Sequence, residues 1–172
     1  MSTPSPQQSK HVQNLCAAVS FLLCAIPFFH EDPFHVNYTG LFSAAPIKTA
    51  LFLCVPLLYF SLRIYRSGLH IMSRSSWQRE CLVLFVLTVT LCAVPYRREA
   101  DLSTNLHLLL ALICFLDLNR LLFYLLWPKK TLSLFYYAMT FTAFFVALLS
   151  SSINGWSELV YALALCVTVS RI

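Results

Sequence analysis

One stretch of the chain, residues 103 to 127, reads STNLHLLLALICFLDLNRLLFYLLW. It is 25 residues long and consists mostly of leucine and other apolar residues. About 20 apolar residues are enough for a helix to cross the hydrocarbon core of a bilayer. This stretch is therefore predicted to be a transmembrane helix.

The composition of the whole chain agrees with this prediction. Of its 172 residues, 59% are hydrophobic and 11% are charged, and the mean hydropathy is +0.72. Soluble domains are about 45–50% apolar and about 25% charged, and a soluble fold of this size has too much surface to bury the excess. We therefore expect an all-α, polytopic transmembrane helical bundle with the lipid bilayer as its environment. The basic residues are scattered at the ends of apolar runs, so nucleic acid is not an expected partner.

Six apolar runs are separated by short polar connectors and are predicted to be six spans. They cover residues 12–29, 46–65, 77–96, 103–127, 131–150 and 156–171. The first is slightly short for a full crossing and the sixth is distinctly short, so five spans with a partly inserted C-terminal helix is the alternative. Residues 1–11 are polar and are expected to form a disordered tail, which leaves 12–172 as a single transmembrane domain. Ser75, with Gln78 three residues later, is expected to cap the third span.

The charged residues predict an orientation for these spans. With a cytoplasmic N-terminus, eight Lys and Arg residues fall on the cytoplasmic side and three on the opposite side. Five acids fall outside, and one, Glu80, falls inside. Because Lys and Arg near span ends resist translocation, the N-terminus and the C-terminus are both predicted to be cytoplasmic. The short loops favour a bacterial cytoplasmic (inner) membrane, with a eukaryotic endomembrane as the alternative.

A group of polar side chains interrupts the fourth span. Asp117, Asn119 and Arg120 lie within four residues, and ionisable residues inside a span are candidates for function. Helical spacing places Asp117, Arg120 and Tyr124 on nearly the same face. Asn119 falls on the opposite side, where we expect its amide to bridge to a neighbouring helix. The group predicts either an intramembrane polar binding site or a structural ion pair, and the residues alone leave both interpretations open.

Basic residues recur at helical spacing after the second span. Arg63, Arg66 and Arg74 would form a basic stripe at the level of the lipid headgroups if the helix continued beyond the membrane. Ser67 and Gly68 can interrupt that helix. Lipid headgroup binding is one interpretation of the stripe, and plain anchoring of the span is the other.

The loop after the first span holds four side chains of the types that bind metals, His30, Glu31, Asp32 and His35. Their spacing is H-E-x-x-x-H rather than the H-E-x-x-H of metalloproteases, and Pro33 prevents both histidines from sharing a helical face. We therefore expect a solvated acidic loop and predict no metal or other cofactor. The seven cysteines include no C-x-x-C pair and are expected to act as small packing residues.

The chain contains no nucleophile elbow, phosphate-binding loop or metalloprotease motif. No catalytic residue is assigned, and an enzyme is not favoured. The first of three functions left open is binding within the membrane to another membrane protein, to a second copy of the chain or to lipid, in an accessory, regulatory or immunity-type role. The second is a small carrier of a solute or of protons that uses Asp117 and Arg120. The third is a lipid-modifying enzyme that holds headgroups with its cytoplasmic arginines.

Overall fold

A computed structural model of the chain describes residues 6–29, 31–71, 73–94 and 102–172. Of the described residues 85% are helical, and these four segments contain no strand. The predicted all-α fold is confirmed. The helices are α1 (Pro6–Ala25), α2 (Tyr38–Ala44), α3 (Pro46–Gly68), α4 (Arg74–Ala93), α5 (Leu102–Leu126), α6 (Lys130–Leu149) and α7 (Gly155–Arg171), with a short 3-10 helix (Ile26–Phe28) after α1.

Five of the described helices are long and apolar enough to cross a membrane, namely α1 with its 3-10 extension, α3, α4, α5 and α6. In an 18-residue apolar stretch of each of these helices, only 6% to 17% of the residues are buried inside the protein. Apolar helices that expose most of their residues need a lipid environment, since water would penalise that surface. The chain is therefore a multi-pass integral membrane protein.

The length and burial of the last helix bear on whether the chain has six spans or five. Helix α7 has 17 residues, which at 1.5 Å per residue gives about 25 Å, less than the roughly 30 Å of a hydrocarbon core. It also differs from the other helices in its burial, since nine of its residues are buried. A sixth full crossing stays a prediction.

Two helix starts differ from the sequence prediction. Helix α1 begins at Pro6, so residues 6–11, which were expected to belong to a disordered tail, are helical. Helix α4 begins at Arg74 with Ser73 as its N-cap, whose side chain accepts a hydrogen bond from the Ser76 amide at 3.4 Å. The predicted cap at Ser75 is wrong, because the polar residues before the third apolar run fold as the first turn of the helix.

The chain divides into two compact units, residues 1–63 with 131–172, and residues 64–130. In the first unit α7 packs on α1. The α7 face that carries Ala162, Leu165, Cys166 and Val169 is buried, with no more than 8% of any of these residues exposed. Helix α7 is therefore the core element of this unit.

Hydrogen bonds join the loop between α1 and α3 to the start of α7. The Asn37 side chain caps α2 by accepting from the Gly40 amide at 2.8 Å, and its Nδ2 donates to the Ile153 carbonyl at 3.1 Å. The Gly155 amide donates to the Val36 carbonyl at 2.8 Å.

Tyr38 adds two further hydrogen bonds at this end of the unit. Its amide donates to the Glu158 carboxylate, and its hydroxyl donates to the Cys24 carbonyl at 2.7 Å. These hydrogen bonds hold the loop after α1 against the start of α7.

Candidate functional site

Helices α4 and α5 of the second unit position the polar group. His107, near the start of α5, bonds to the Val94 carbonyl at the end of α4 at 2.7 Å, while Glu80 and Arg120 meet near the opposite ends. The two helices therefore run antiparallel. Trp77 fixes the start of α4 relative to the end of α3. Its side chain, in the first turn of α4, is fully buried and donates its Nε1–H to the Tyr65 carbonyl at 2.9 Å.

Arg120 links two carboxylates. Its Nε and Nη2 atoms donate to Asp117 Oδ1 at 3.0 and 2.7 Å, as the i, i+3 spacing on one helix predicts. Nη2 also donates to Oε2 of Glu80, which lies on α4. The ion pair suggested by the sequence thus becomes a cluster of three charges on two helices, and we refer to Glu80, Asp117 and Arg120 as the charged cluster.

Sequence reasoning missed Glu80, although a signal for it exists. Glu80 lies six residues after the first residue of α4, and Arg120 lies six residues before the last residue of α5. At 1.5 Å per residue both are about 9 Å from the same end of the helix pair. In an antiparallel hairpin, opposite charges at equal depth can meet. Matching depths along consecutive spans would therefore have identified the partner.

The charged cluster is unbalanced. It contains two carboxylates and one guanidinium, and the Oδ2 atom of Asp117 is buried without a hydrogen-bond partner in the described part of the chain. The side chains of Asp117, Glu80 and Arg120 are 13%, 24% and 41% exposed. The cluster therefore has a closed side at Asp117 and an open side at Arg120, where a charged or polar group from outside the chain can reach it.

The other two residues predicted for this site lie beside the cluster. Asn119 donates from Nδ2 to the Phe115 carbonyl of its own helix at 2.8 Å. The Tyr124 ring is 43% exposed and contacts the Phe123 ring at 6.2 Å between centroids. Among the described residues, Tyr124 forms no hydrogen bond with Asp117 or Arg120.

The three arginines of the predicted basic stripe do not share one helix. Helix α3 ends at Gly68, and a turn follows before Arg74 opens α4. Arg63 donates from Nε to the Val169 carbonyl at 3.2 Å, which satisfies a carbonyl near the end of α7. Arg66 and Arg74 are exposed. Among the described helices, none carries all three arginines, and headgroup binding by them stays a prediction.

The acidic loop is held by its own side chains. Asp32 accepts from the Phe34 amide at 2.9 Å through Oδ1 and pairs with His35 Nδ1 at 2.7 Å through Oδ2. The Phe34 hydrogen bond and the neighbouring His35 hold the pKa of Asp32 below its ordinary value. His30 lies outside the described residues, and the described residues contain no group of three or more potential ligands placed to hold a metal ion.

Asn37, Tyr38 and Thr39 form an N-x-[ST] glycosylation pattern, and Asn37 lies at the joint between this loop and α7. Its Nδ2 atom, the position to which a glycan would attach, donates to the Ile153 carbonyl. A glycan there would replace one of the two hydrogens of Nδ2 and add bulk next to the loop before α7. Asn37 therefore has a structural role at this joint.

Comparison with known proteins gives no further guide to the site, since no family model, curated protein or solved structure matches this chain.

Proposed function

We propose that this multi-pass membrane protein acts by binding a lipid or another membrane protein within the bilayer, in an accessory, regulatory or immunity-type role. The observation that carries the proposal is the open side of the charged cluster, where Arg120 is 41% exposed on a helix that crosses the membrane. An arginine in a span normally faces a protein interior or a cavity. One that faces outward is suited to a partner that brings polar groups to that depth.

The proposed setting is a bacterial cytoplasmic membrane with both termini in the cytoplasm, with a eukaryotic endomembrane as the alternative. The support is the excess of Lys and Arg in the connectors assigned to the cytoplasmic side. In this orientation the charged cluster lies near the cytoplasmic ends of α4 and α5. Reporter tags in the connection between α3 and α4 and in the connection between α6 and α7 should report opposite sides of the membrane. A periplasmic or luminal signal from the α3–α4 connection would contradict the orientation.

Purification in a mild detergent tests the proposed binding. The full chain and the Arg120→Gln variant are purified in parallel, and the proteins and lipids that remain bound are identified by mass spectrometry. We expect a stoichiometric partner with the natural chain and its loss from the variant. Arg79→Gln is the matched control, because Arg79 is an exposed arginine adjacent to Glu80 in sequence and forms no ion pair among the described residues. A partner retained equally by Arg120→Gln would contradict the proposal.

A small carrier of protons or cationic solutes is the second candidate. It is favoured by the excess of one carboxylate over guanidinium and by the buried Oδ2 of Asp117, which lacks a hydrogen-bond partner in the described segments. In this alternative Asp117→Asn abolishes transport in proteoliposomes while the protein accumulates normally. A variant that transports as well as the natural chain would reject the carrier.

A further inference from the structure

The open side of the charged cluster presents a hydrogen-bond donor next to an acceptor. Arg120 uses Nε and Nη2 for the two carboxylates, and its Nη1 group has no partner in the described part of the chain. Glu80 accepts through Oε2, and its Oε1 atom likewise has none there. Both atoms belong to the two groups that the Arg120–Glu80 hydrogen bond joins, so the unused donor and the unused acceptor are part of the same ion pair.

An exposed apolar stripe leads away from this donor and acceptor along α5. It consists of Leu109, Leu112, Ile113 and Leu116, which share one face of the helix at positions i, i+3, i+4 and i+7, and their exposed fractions are 53%, 53%, 38% and 57%. From Arg120 to Leu109 the helix rises about 16 Å. That distance is close to half of the roughly 30 Å hydrocarbon core, or the thickness of one leaflet. The stripe therefore has the length of an acyl chain whose headgroup lies at Arg120.

Aromatic residues mark the opposite side of Arg120. Trp127 is 71% exposed and its ring lies 5.2 Å from that of Phe123. Exposed tryptophans are typical of the interface between hydrocarbon and headgroups. Arg120 thus lies between an interfacial tryptophan and an apolar stripe, which is where the polar part of a membrane lipid meets its chains.

We propose that the charged cluster binds the headgroup of a zwitterionic phospholipid with a primary amine, its phosphate on Arg120 Nη1 and its ammonium on Glu80 Oε1. This inference rests on the proposed function and names the partner for the same site. The N–H groups of Nη1 can donate to phosphate oxygens, and a carboxylate oxygen can accept from an N–H donor that carries a positive charge. Because the cluster has more carboxylates than guanidinium groups, a lipid with a net negative charge is disfavoured. A choline headgroup has no N–H to donate to Glu80.

Native mass spectrometry of the delipidated full chain tests the headgroup. The protein is titrated with phosphatidylethanolamine, phosphatidylcholine and phosphatidylglycerol that carry identical acyl chains. We expect phosphatidylethanolamine to bind about fivefold more tightly than phosphatidylcholine, the equivalent of one hydrogen bond, and more tightly than phosphatidylglycerol. The mono- and dimethylated amine lipids, which keep an N–H, should bind like phosphatidylethanolamine, with the loss at the third methyl group. This series uses only the natural chain.

Variants assign the preference to residues. Glu80→Gln should abolish the preference for the amine lipid over phosphatidylcholine, Glu80→Asp should keep part of it, and Arg120→Gln should weaken all three lipids. Arg79→Gln should leave the ratio unchanged. Melting temperatures in the same detergent identify any variant that fails to fold, and the methylated lipid series then decides the question alone.

The outcomes separate this inference from the proposed function. Equal binding of the three lipids, each weakened by Arg120→Gln, would overturn the headgroup assignment and leave the proposed function in place. The same holds for a co-purifying protein retained through Arg120 with no lipid at the cluster. Lipid binding that is indifferent to Arg120, with no protein retained through it, would overturn both.

Discussion

Removing Arg120 should destabilise the protein more than removing either of its partners. Arg120→Gln leaves two carboxylates without a cation, because the guanidinium donates to both Glu80 and Asp117. An unpaired charge at the centre of a span costs about 2.5–3.5 kcal/mol on insertion scales. The charged cluster lies about 9 Å from the helix ends and is partly exposed, so we expect Arg120→Gln to lower the free energy of unfolding by about 2 kcal/mol. Asp117→Asn leaves the Glu80 pair intact, and we expect a loss below about 1 kcal/mol.

The combined variants distinguish a cluster of three charges from a simple pair. Adding Asp117→Asn to Arg120→Gln removes one orphaned carboxylate and should restore about half of the loss. Adding Glu80→Gln as well should restore most of the remainder. A self-contained Asp117–Arg120 pair would instead be fully repaired by the double change.

Equilibrium unfolding in mixed micelles of SDS and a mild detergent, followed by circular dichroism, measures these differences. Arg79→Gln serves as the control and should change the free energy of unfolding by less than about 0.5 kcal/mol. If the double variant is as stable as the natural chain and Glu80→Gln adds nothing, Glu80 does not belong to the cluster. If Arg120→Gln behaves like Arg79→Gln, the charges do not stabilise the helix pair at all.

Three further predictions concern parts of the chain outside the cluster. Gly68→Ala should lower the free energy of unfolding by about 1–3 kcal/mol in thermal melts, because the new methyl would lie 1.7 Å from the Trp77 ring. Gly40→Ala, whose nearest neighbouring atom is at 3.4 Å, should change it by less than about 1 kcal/mol. Asn37→Ala removes the α2 cap and the bond to the loop before α7, so about 1–2 kcal/mol should be lost, with faster amide exchange over 38–44. The turn that the Asp32 carboxylate holds should be fully formed above the ordinary pKa of Asp32, 3.8, and should be lost as the pH falls through the lowered pKa that Asp32 has in the folded protein. Amide NMR titrations should show this transition, and Asp32→Asn should remove it.

The helices could be predicted because membrane spans are encoded locally. Four of the apolar runs match α3, α4, α5 and α6 with ends that differ by no more than three residues. A span depends on length and hydropathy, and both are properties of consecutive residues. The starts of α1 and α4 were missed because polar residues there continue the helix, and hydropathy does not distinguish a polar helical turn from a loop.

The hydrogen-bonded end of the first unit could not be predicted, because its partners are far apart in the chain. Asn37 and Ile153 are separated by 116 residues, and Tyr38 and Glu158 by 120. The start of α7 is a local feature, because Asn-Gly is a common turn dipeptide and the capping box joins Asn154 to Ser157. The pairing of this turn with the loop after α1 depends on how α7 packs against α1, which no local pattern specifies.

The charged cluster lies between these two cases, and Glu80 shows why. In the predicted orientation Glu80 is the one acid on the basic side of the membrane, an exception that the orientation rule leaves unexplained. Its ion pair with Arg120 accounts for the exception, because an acid at that depth offsets the arginine of the neighbouring span. Exceptions to a charge bias, once placed at their depth along antiparallel helices, therefore point to interhelical ion pairs. In this protein that reasoning leads from one misplaced acid to the site whose open side is proposed to bind a partner.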